Sequence, residues 1–425
     1  MHLYSQIHST TSGLQYLFLS KEEEADLRGD HGEARRIAMS VLTKLGDRLQ
    51  ADRLIPIASA HIVESSYQIA CDSGIEILER LAALGATCSV PTTCDPAAID
   101  LEDWKTLRVP EEYAKKQLRL AESLNKLNVV PTFTCTPYHL VNPPRFGEHL
   151  AWAESNAVVY ANSVCGAMTN RYPAYVDLFA AIIGKIPRFG LHVRENRKAT
   201  VLVKLDSGPV RDSDYPLLGT YLGLEMEERI PILTNFPKDV TRDELKAMGA
   251  AGAAAGALAM YHIEDLTPEA RTLHEALQGD EPEETITVDR NALDNVRDKM
   301  CTASGGNVDI VAFGCPHASV FQMRRIIDLF KGRRVKNGVE CWVCTNRLTK
   351  SLADQIGYSQ KLVSSGVRIV CDTCCNNAPI KNWGFKIMAT DSGKFARYAP
   401  INADTDVVYG STEQCVESAV GGEFE

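Results

Sequence analysis
Residues 308–374 read VDIVAFGCPHASVFQMRRIIDLFKGRRVKNGVECWVCTNRLTKSLADQIGYSQKLVSSGVRIVCDTC. Within them, 308–313, 339–344 and 367–371 are short apolar runs rich in valine, each of strand length. Val320, Met323, Ile327 and Phe330 recur at helical spacing between the first two runs, and Leu352, Ile356 and Val363 between the last two. The order βαβαβ predicts parallel strands joined by crossover helices, half of a doubly wound sheet. Upstream the alternation is looser. Residues 54–58, 88–90 and 129–135 predict strands, and 111–127, with Ala114, Leu118, Ala121 and Leu124 at helical spacing, predicts a helix before the last of them. The expected class is α/β, with parallel or mixed sheets flanked by helices.

A chain of 425 residues holds more than one such unit. The charged stretch GDEPEE at 279–284 carries Pro282 and no apolar period, which predicts a linker. The division expected is an extension over 1–18, an α/β domain over 19–200 carrying Cys135, an intermediate α/β domain over 201–290, and a doubly wound domain over 291–425 carrying Cys315 and Cys374. Lys and Arg number 45 against 55 Asp and Glu, and no long basic run occurs, so nucleic acid is not an expected partner. The first thirteen residues lack the basic start and apolar stretch of a secretory leader, which predicts a cytoplasmic protein. The Ala/Gly-rich stretch 247–260 is too short to span a membrane, and its Gly252 and Gly256 predict close helix packing instead.

The 13 cysteines are an odd number without a leader, a pattern of thiols, metal ligands or a cluster in a reducing compartment. In open α/β sheets ligands bind at the carboxyl ends of the strands. Cys135, Cys315 and Cys374 each follow a predicted strand, and Pro137 and Pro316 stiffen two of those turns. Three soft thiolates from three loops suit an iron-sulfur cluster or zinc. Packing is the ordinary role of any one such cysteine; three in equivalent positions favour function. Cys71, Cys88, Cys94, Cys165, Cys301 and Cys415 are read as core or surface thiols. The pairs Cys341/Cys344 and Cys371/Cys374 have CxxC spacing, but the first lies inside a predicted strand, where residues three apart face opposite ways.

Other polar groups stand where chemistry is expected. Ser59 and His61 follow the predicted strand 54–58. In EHLAWAESNAVVYANSVC, 148–165, a mainly apolar helix is expected whose face carries Glu154, Ser155 and Asn162, the lining of a pocket or a helix–helix hydrogen bond. Asn170 and Arg171 follow it, the arginine placed to clamp a carboxylate or to offset a helix dipole. TDSGK, 390–394, reads as an anion-binding turn presenting Lys394, or as a solvated loop, and lacks the full P-loop pattern.

The strings FTCTPY, PRFGEHLAWAESNAVVYANS, GAMTNR, FGCPHAS, CDTC and KFARYAP, in this order, resemble the large subunit of the aconitase X family over residues from about 19 onward. The resemblance implies an aconitase-like multi-domain fold and an iron-sulfur cluster on Cys135, Cys315 and Cys374, the three cysteines selected by strand position. It implies a hydro-lyase acting on cis-3-hydroxy-L-proline, with mevalonate 5-phosphate as the alternative. A separate small, swivelling subunit would supply the base, since too few residues follow Cys374 for that domain. Ser59, His61, Glu154 and Asn170 are the candidate catalytic groups; Thr136, Tyr138, Ser155, Asn156, Asn162, Arg171 and Lys394 are candidate substrate contacts. Met168, Cys375 and Asp391 depart from the family pattern and leave room for a diverged, non-catalytic zinc or scaffold protein.

Overall fold
The strand Ile310–Phe313 is the middle of a five-stranded parallel sheet in a computed structural model that describes residues 17–206, 209 and 211–424. Its neighbours run Arg368–Cys371, Glu340–Thr345, Ile310–Phe313, Ile387–Thr390, Asp406–Tyr409. The first strand in sequence is central and later strands add on either side, so its carboxyl end opens a switch-point crevice toward Ile387–Thr390. Alternation sets the faces. Val311, Phe313, Cys341 and Val343 pack on the helices Val320–Phe330 and Thr412–Gly421, whereas Ile310, Ala312, Trp342 and Cys344 belong to the other core, with the helix Gly393–Asn402, and Trp342 meets Trp383 edge-on. Cys341 and Cys344 therefore cannot meet one metal ion as a knuckle. Ser319 caps Val320–Phe330 through a capping box with Gln322. The helix expected around 352–363 is two, Arg347–Gln355 and Tyr358–Ser364, parted by Gly357 at φ 77°.

Two smaller parallel sheets precede it. One orders Thr92–Cys94, Ser59–Ile62 and Leu150–Trp152; the other orders His262–Ile263, Pro231–Thr234, Val201–Leu205 and Glu284–Val288. The charged stretch 279–284 is not a linker between units: Glu283 N donates to Thr200 O at 2.8 Å and the chain enters the edge strand Glu284–Val288 at once. The expected extension 1–18 lies outside the described residues as far as residue 16. No described helix is long and apolar enough to cross a membrane.

Local expectations shift in the first sheet. Residues 54–58 form only Leu54–Pro56, antiparallel to Lys185–Pro187, and a new strand, Ser59–Ile62, begins directly. Ser59 and His61 are thus inside a strand and not beyond one. The strand expected at 88–90 is Thr92–Cys94. Residues 129–135 make a single bridge, Val130 to Thr93, because Pro131 lacks a donor and Phe133 turns to φ 38°. The helix expected over 148–165 divides into the strand Leu150–Trp152, the helix Ser155–Tyr160 and a π turn, Ala161–Cys165. A three-residue apolar run buried on both faces is satisfied by the parallel ladder to Ser59–Ile62, which outweighs its helical period.

Glycines govern the second sheet's helices. Asp214–Glu225 and Arg242–Ala255 cross so closely that a methyl at Gly219 would strike the Met248 carbonyl and one at Gly223 that of Gly252; Gly256 faces Gly223 likewise. Gly219→Ala is expected to cost roughly 2–4 kcal/mol, read as a lower urea midpoint, because backbone cannot yield as a side chain can.

The sheets are clasped together. Arg347 bonds Asp372 at 2.8 Å and Asp100, whose other oxygen accepts from Cys371 N at 3.0 Å, joining the first sheet's loop to the third sheet. Fully buried Arg197 pairs with Glu269 and donates to the carbonyls of Asn162 and Ala167, at 3.1 and 3.0 Å, joining the first sheet to the second.

Candidate active site
Cys135, Cys315 and Cys374 open on one cavity of about 410 Å³ where the first and third sheets meet. Cys315 follows the central strand Ile310–Phe313, Cys374 follows Arg368–Cys371, and Cys135 ends the extended segment beside Thr92–Cys94. Cys315 lies in contact with Cys374; that neighbouring thiol, and then burial, push the Cys374 thiol well above its ordinary pKa. Burial does the same at Cys135, reinforced by Glu154 and Asp95. Cationic metal binding reverses that preference, since only thiolates are ligands. Among the described residues, no three His, Cys, Asp or Glu side chains gather closely enough for a single ion. The three thiols are therefore no mononuclear zinc site as they stand. As an all-sulfur set lining one cavity, they fit an iron-sulfur group, for which cysteine thiolates would be the ligands.

The same cavity holds a buried ion pair. Glu154 caps the helix Ser155–Tyr160, accepting from Ala157 N at 2.7 Å and Asn156 Nδ2 at 2.5 Å, and its other oxygen receives Lys394 Nζ. Burial would raise Glu154 and lower Lys394, but each partner overcomes this for the other: the carboxyl stays below its ordinary range and the ammonium above. Asn156 Nδ2 also donates to Cys135 O at 2.8 Å, and Tyr138 OH donates to Asn156 Oδ1 at 2.7 Å, so the ion pair and the Cys135 loop share one network. Lys394 stands 3.4 Å from Ser155 Oγ. The TDSGK turn is thus neither a solvated loop nor an open anion site: Ser392 caps the helix Gly393–Asn402, which turns Lys394 inward.

Asp95 is the second carboxyl at the cavity. Its Oδ1 is buried without a hydrogen-bond partner, 3.7 Å from His61 Nε2, which also lacks one. Burial, then Glu154, raises Asp95 well above the carboxylate range; burial pushes His61 down to about 4. His61 Nδ1 lies 2.8 Å from Thr93 Oγ1, so the imidazole sits behind Asp95. His317 is fully buried between the cysteine loops, and burial lowers it to about 4.

Other candidates turn away. Arg171 is exposed and donates to Gly256 O at 2.8 Å and Ala253 O at 3.4 Å, so it caps the end of Arg242–Ala255, and the expected carboxylate clamp is corrected. Asn162 donates to Thr169 O and Ala259 O, each at 3.0 Å, and Asn170 to Phe189 O at 3.1 Å; both satisfy loop backbone. Ser59 Oγ accepts from Trp152 Nε1 at 3.2 Å, and Thr136 pairs with Thr134 at 3.1 Å. Tyr138 stacks on Tyr160, and with Asn156 it supports the Cys135 loop from behind. Asp391 is half-buried, its carboxyl raised to about 6 by desolvation, and accepts from Thr412 Oγ1 at 2.9 Å; Cys375 Sγ lies 3.6 Å from Cys344 Sγ.

Asp95, Gln68, Tyr398 and Asn402 line the cavity without having been singled out from the sequence, and beside them stand Asn376 and Asn377, which follow Cys375, a departure from the family pattern. Asp95-Pro96 at the end of Thr92–Cys94 carried a signal, lost because the strand was placed four residues early. A larger, shallow groove of about 800 Å³, with Lys198, Arg229 and Glu283 on its walls, holds no cysteine or histidine.

Comparison with known proteins covers nearly the whole chain. The family descriptions "Aconitase X first domain", "second domain" and "third domain" match residues 16–195, 199–298 and 308–421. The phosphomevalonate dehydratase large subunit of Methanocaldococcus jannaschii is 39% identical over 94% of this chain and 100% of its own. The cis-3-hydroxy-L-proline dehydratase of Pseudomonas aeruginosa is 36% identical over 94% of this chain and 69% of its own. A solved structure, the holo-form of Thermococcus kodakaraensis aconitase X, superposes with a TM-score of 0.87 at 39% identity, covering 95% of this chain and all of that one.

Proposed function
Because the chain belongs to the aconitase X family, whose named relatives are dehydratases, we propose that this hydro-lyase removes water from cis-3-hydroxy-L-proline with an iron-sulfur cluster held by Cys135, Cys315 and Cys374. The observation that carries the reading is the meeting of these three thiols with Glu154, Lys394 and Asp95 at one cavity. The cluster's part, when bound, is Lewis-acid assistance to a departing hydroxide. The chain's own residues bind and orient. Asp95, whose Oδ1 has no partner, suits the substrate's secondary ammonium, and the Asn376 amide offers donors to its carboxylate. Lys394 holds Glu154 ionised in a site from which bulk water is largely removed. Elimination also requires a base at the carbon next to the hydroxyl-bearing one, and a second, small polypeptide supplies it over the cavity mouth.

Mevalonate 5-phosphate is the second reading. It is favoured by the slightly higher identity to the phosphomevalonate dehydratase large subunit of Methanocaldococcus jannaschii, 39%, against 36% to the hydroxyproline enzyme of Pseudomonas aeruginosa. Against it, among the described residues Lys394 is the only Lys or Arg lining the cavity and Glu154 already occupies it, leaving none of them free for a phosphate dianion.

The test is iron, acid-labile sulfide and visible absorption on anaerobically purified protein, followed by turnover of both substrates with and without the small polypeptide. Brown protein, inactive alone and dehydrating hydroxyproline with its partner, is expected. A metal-free or zinc-loaded protein after reconstitution, or robust turnover by the single chain, overturns the cluster or the two-chain reading respectively.

A further inference from the structure
We infer that His317, which is not placed as a ligand, is a positioning residue that fixes the three cysteine loops against one another and sets the electronic environment of the Cys135 sulfur. The inference rests on the cluster reading above and deepens it.

All of its polar atoms are engaged, and every partner belongs to a cysteine loop or to the element clamping one. The main-chain N–H donates to Cys135 Sγ at 3.3 Å. Nε2 lies 3.1 Å from the carbonyl oxygen of Thr373, the residue before Cys374. A carbonyl only accepts, so Nε2 carries the proton and Nδ1 is the acceptor. Nδ1 lies 3.3 Å from Oγ1 of Thr134, the residue before Cys135, and that hydroxyl is therefore its donor. His317 itself stands two residues after Cys315, with the 315–316 peptide between them.

The second sheet closes the arrangement. His317 O accepts from Lys246 Nζ at 3.1 Å, and the same ammonium holds Gln322 at 2.6 Å and Asp243 at 2.8 Å. Lys246 and His317 are both buried, at 1% and 0% exposure, so water cannot replace any of these bonds without opening the core.

An imidazole is suited to this place because it offers an acceptor and a donor pointing in opposite directions from one rigid ring. Glutamine can reach Thr373 with a donor but cannot also accept rigidly from Thr134. Outer hydrogen bonds of this kind orient ligands, and an N–H to a ligating sulfur shifts cluster potential. A buried histidine that merely filled space would tie one element to its neighbour; this one ties three loops that share a cavity.

The test compares reconstituted wild-type chain with H317A, H317Q and T134V, the last removing a single hydroxyl at nearly constant volume. Iron release into excess chelator is expected to quicken roughly 10–100-fold in H317A, less in H317Q and T134V. The visible spectrum and midpoint potential are expected to move with it while the far-ultraviolet dichroism of T134V stays that of wild type. Release rate, spectrum and potential all unchanged in T134V and in folded H317A would overturn the inference. If H317A does not fold, T134V decides it by the same readouts. Failure of the wild type itself to take up iron and sulfide removes the cluster reading, a result distinct from wild-type loading with indifferent variants.

Discussion

Cys315→Ser is expected to give a folded, colourless protein with less than about a thousandth of the dehydratase activity in the presence of the small polypeptide. Serine's hydroxyl is far less acidic than a thiol and is a poor partner for iron among sulfides, so the third anchor disappears. The change is nearly isosteric, and Cys315 is only partly buried, so stability of the metal-free chain falls by less than about 1 kcal/mol. Iron and sulfide analysis with thermal melting separates the two effects. Full iron and sulfide in the variant would show that the ligand set is wrong.

Lys394→Met carries the second large effect, and here stability is what moves most. The substitution strands Glu154 as a buried charge, which typically costs 3–5 kcal/mol, roughly, when one partner of such a pair is removed. In the wild type the Glu154 carboxyl lies below its ordinary value, so its stabilising contribution is present above the unfolded value and is lost as pH falls through the folded one. Without Lys394 burial raises the same carboxyl, reversing the sign: stability is kept below the unfolded value, about 4.3, and is lost as pH rises through the raised one. The variant's deficit is therefore largest near neutrality and shrinks in acid. Adding Glu154→Gln should recover most of the stability and none of the activity. A single variant as stable as wild type at neutral pH would refute the pair's role.

Three of the five strands of the carboxyl-terminal sheet were legible because they are short apolar runs separated by helices with an apolar stripe, whereas Ile387–Thr390 and Asp406–Tyr409 were not read. Ile310–Phe313, Glu340–Thr345 and Arg368–Cys371 fall within two residues of the expected runs. The first sheet was less so. Its strands are only three or four residues long, and their apolar residues continue into turns, which blurs where each begins. The three cysteines could be read because strand ends are marked by glycine, proline and the close of an apolar run. The orientation of Lys394 could not, since a lysine after Ser-Gly reads as solvent-facing until Glu154, distant in sequence, is brought beside it. Arg171 failed for the converse reason: the carbonyls it caps belong to a helix that local sequence does not reveal as its neighbour.

The burial of seven of the remaining ten thiols has a consequence for how metal finds this chain. Cys88, Cys94, Cys341, Cys344, Cys371, Cys375 and Cys415 are buried, whereas Cys135 and Cys315 come from different sheets and meet only once those sheets have docked. During synthesis every one of these sulfurs is open to iron or copper, with nothing in their affinities to rank them. Folding supplies the ranking: it hides seven of the rivals and brings the proposed trio to one cavity in the same event. Cluster delivery should accordingly be productive only after the chain has folded, and metal offered earlier should be captured by the wrong partners and trap misassembled protein.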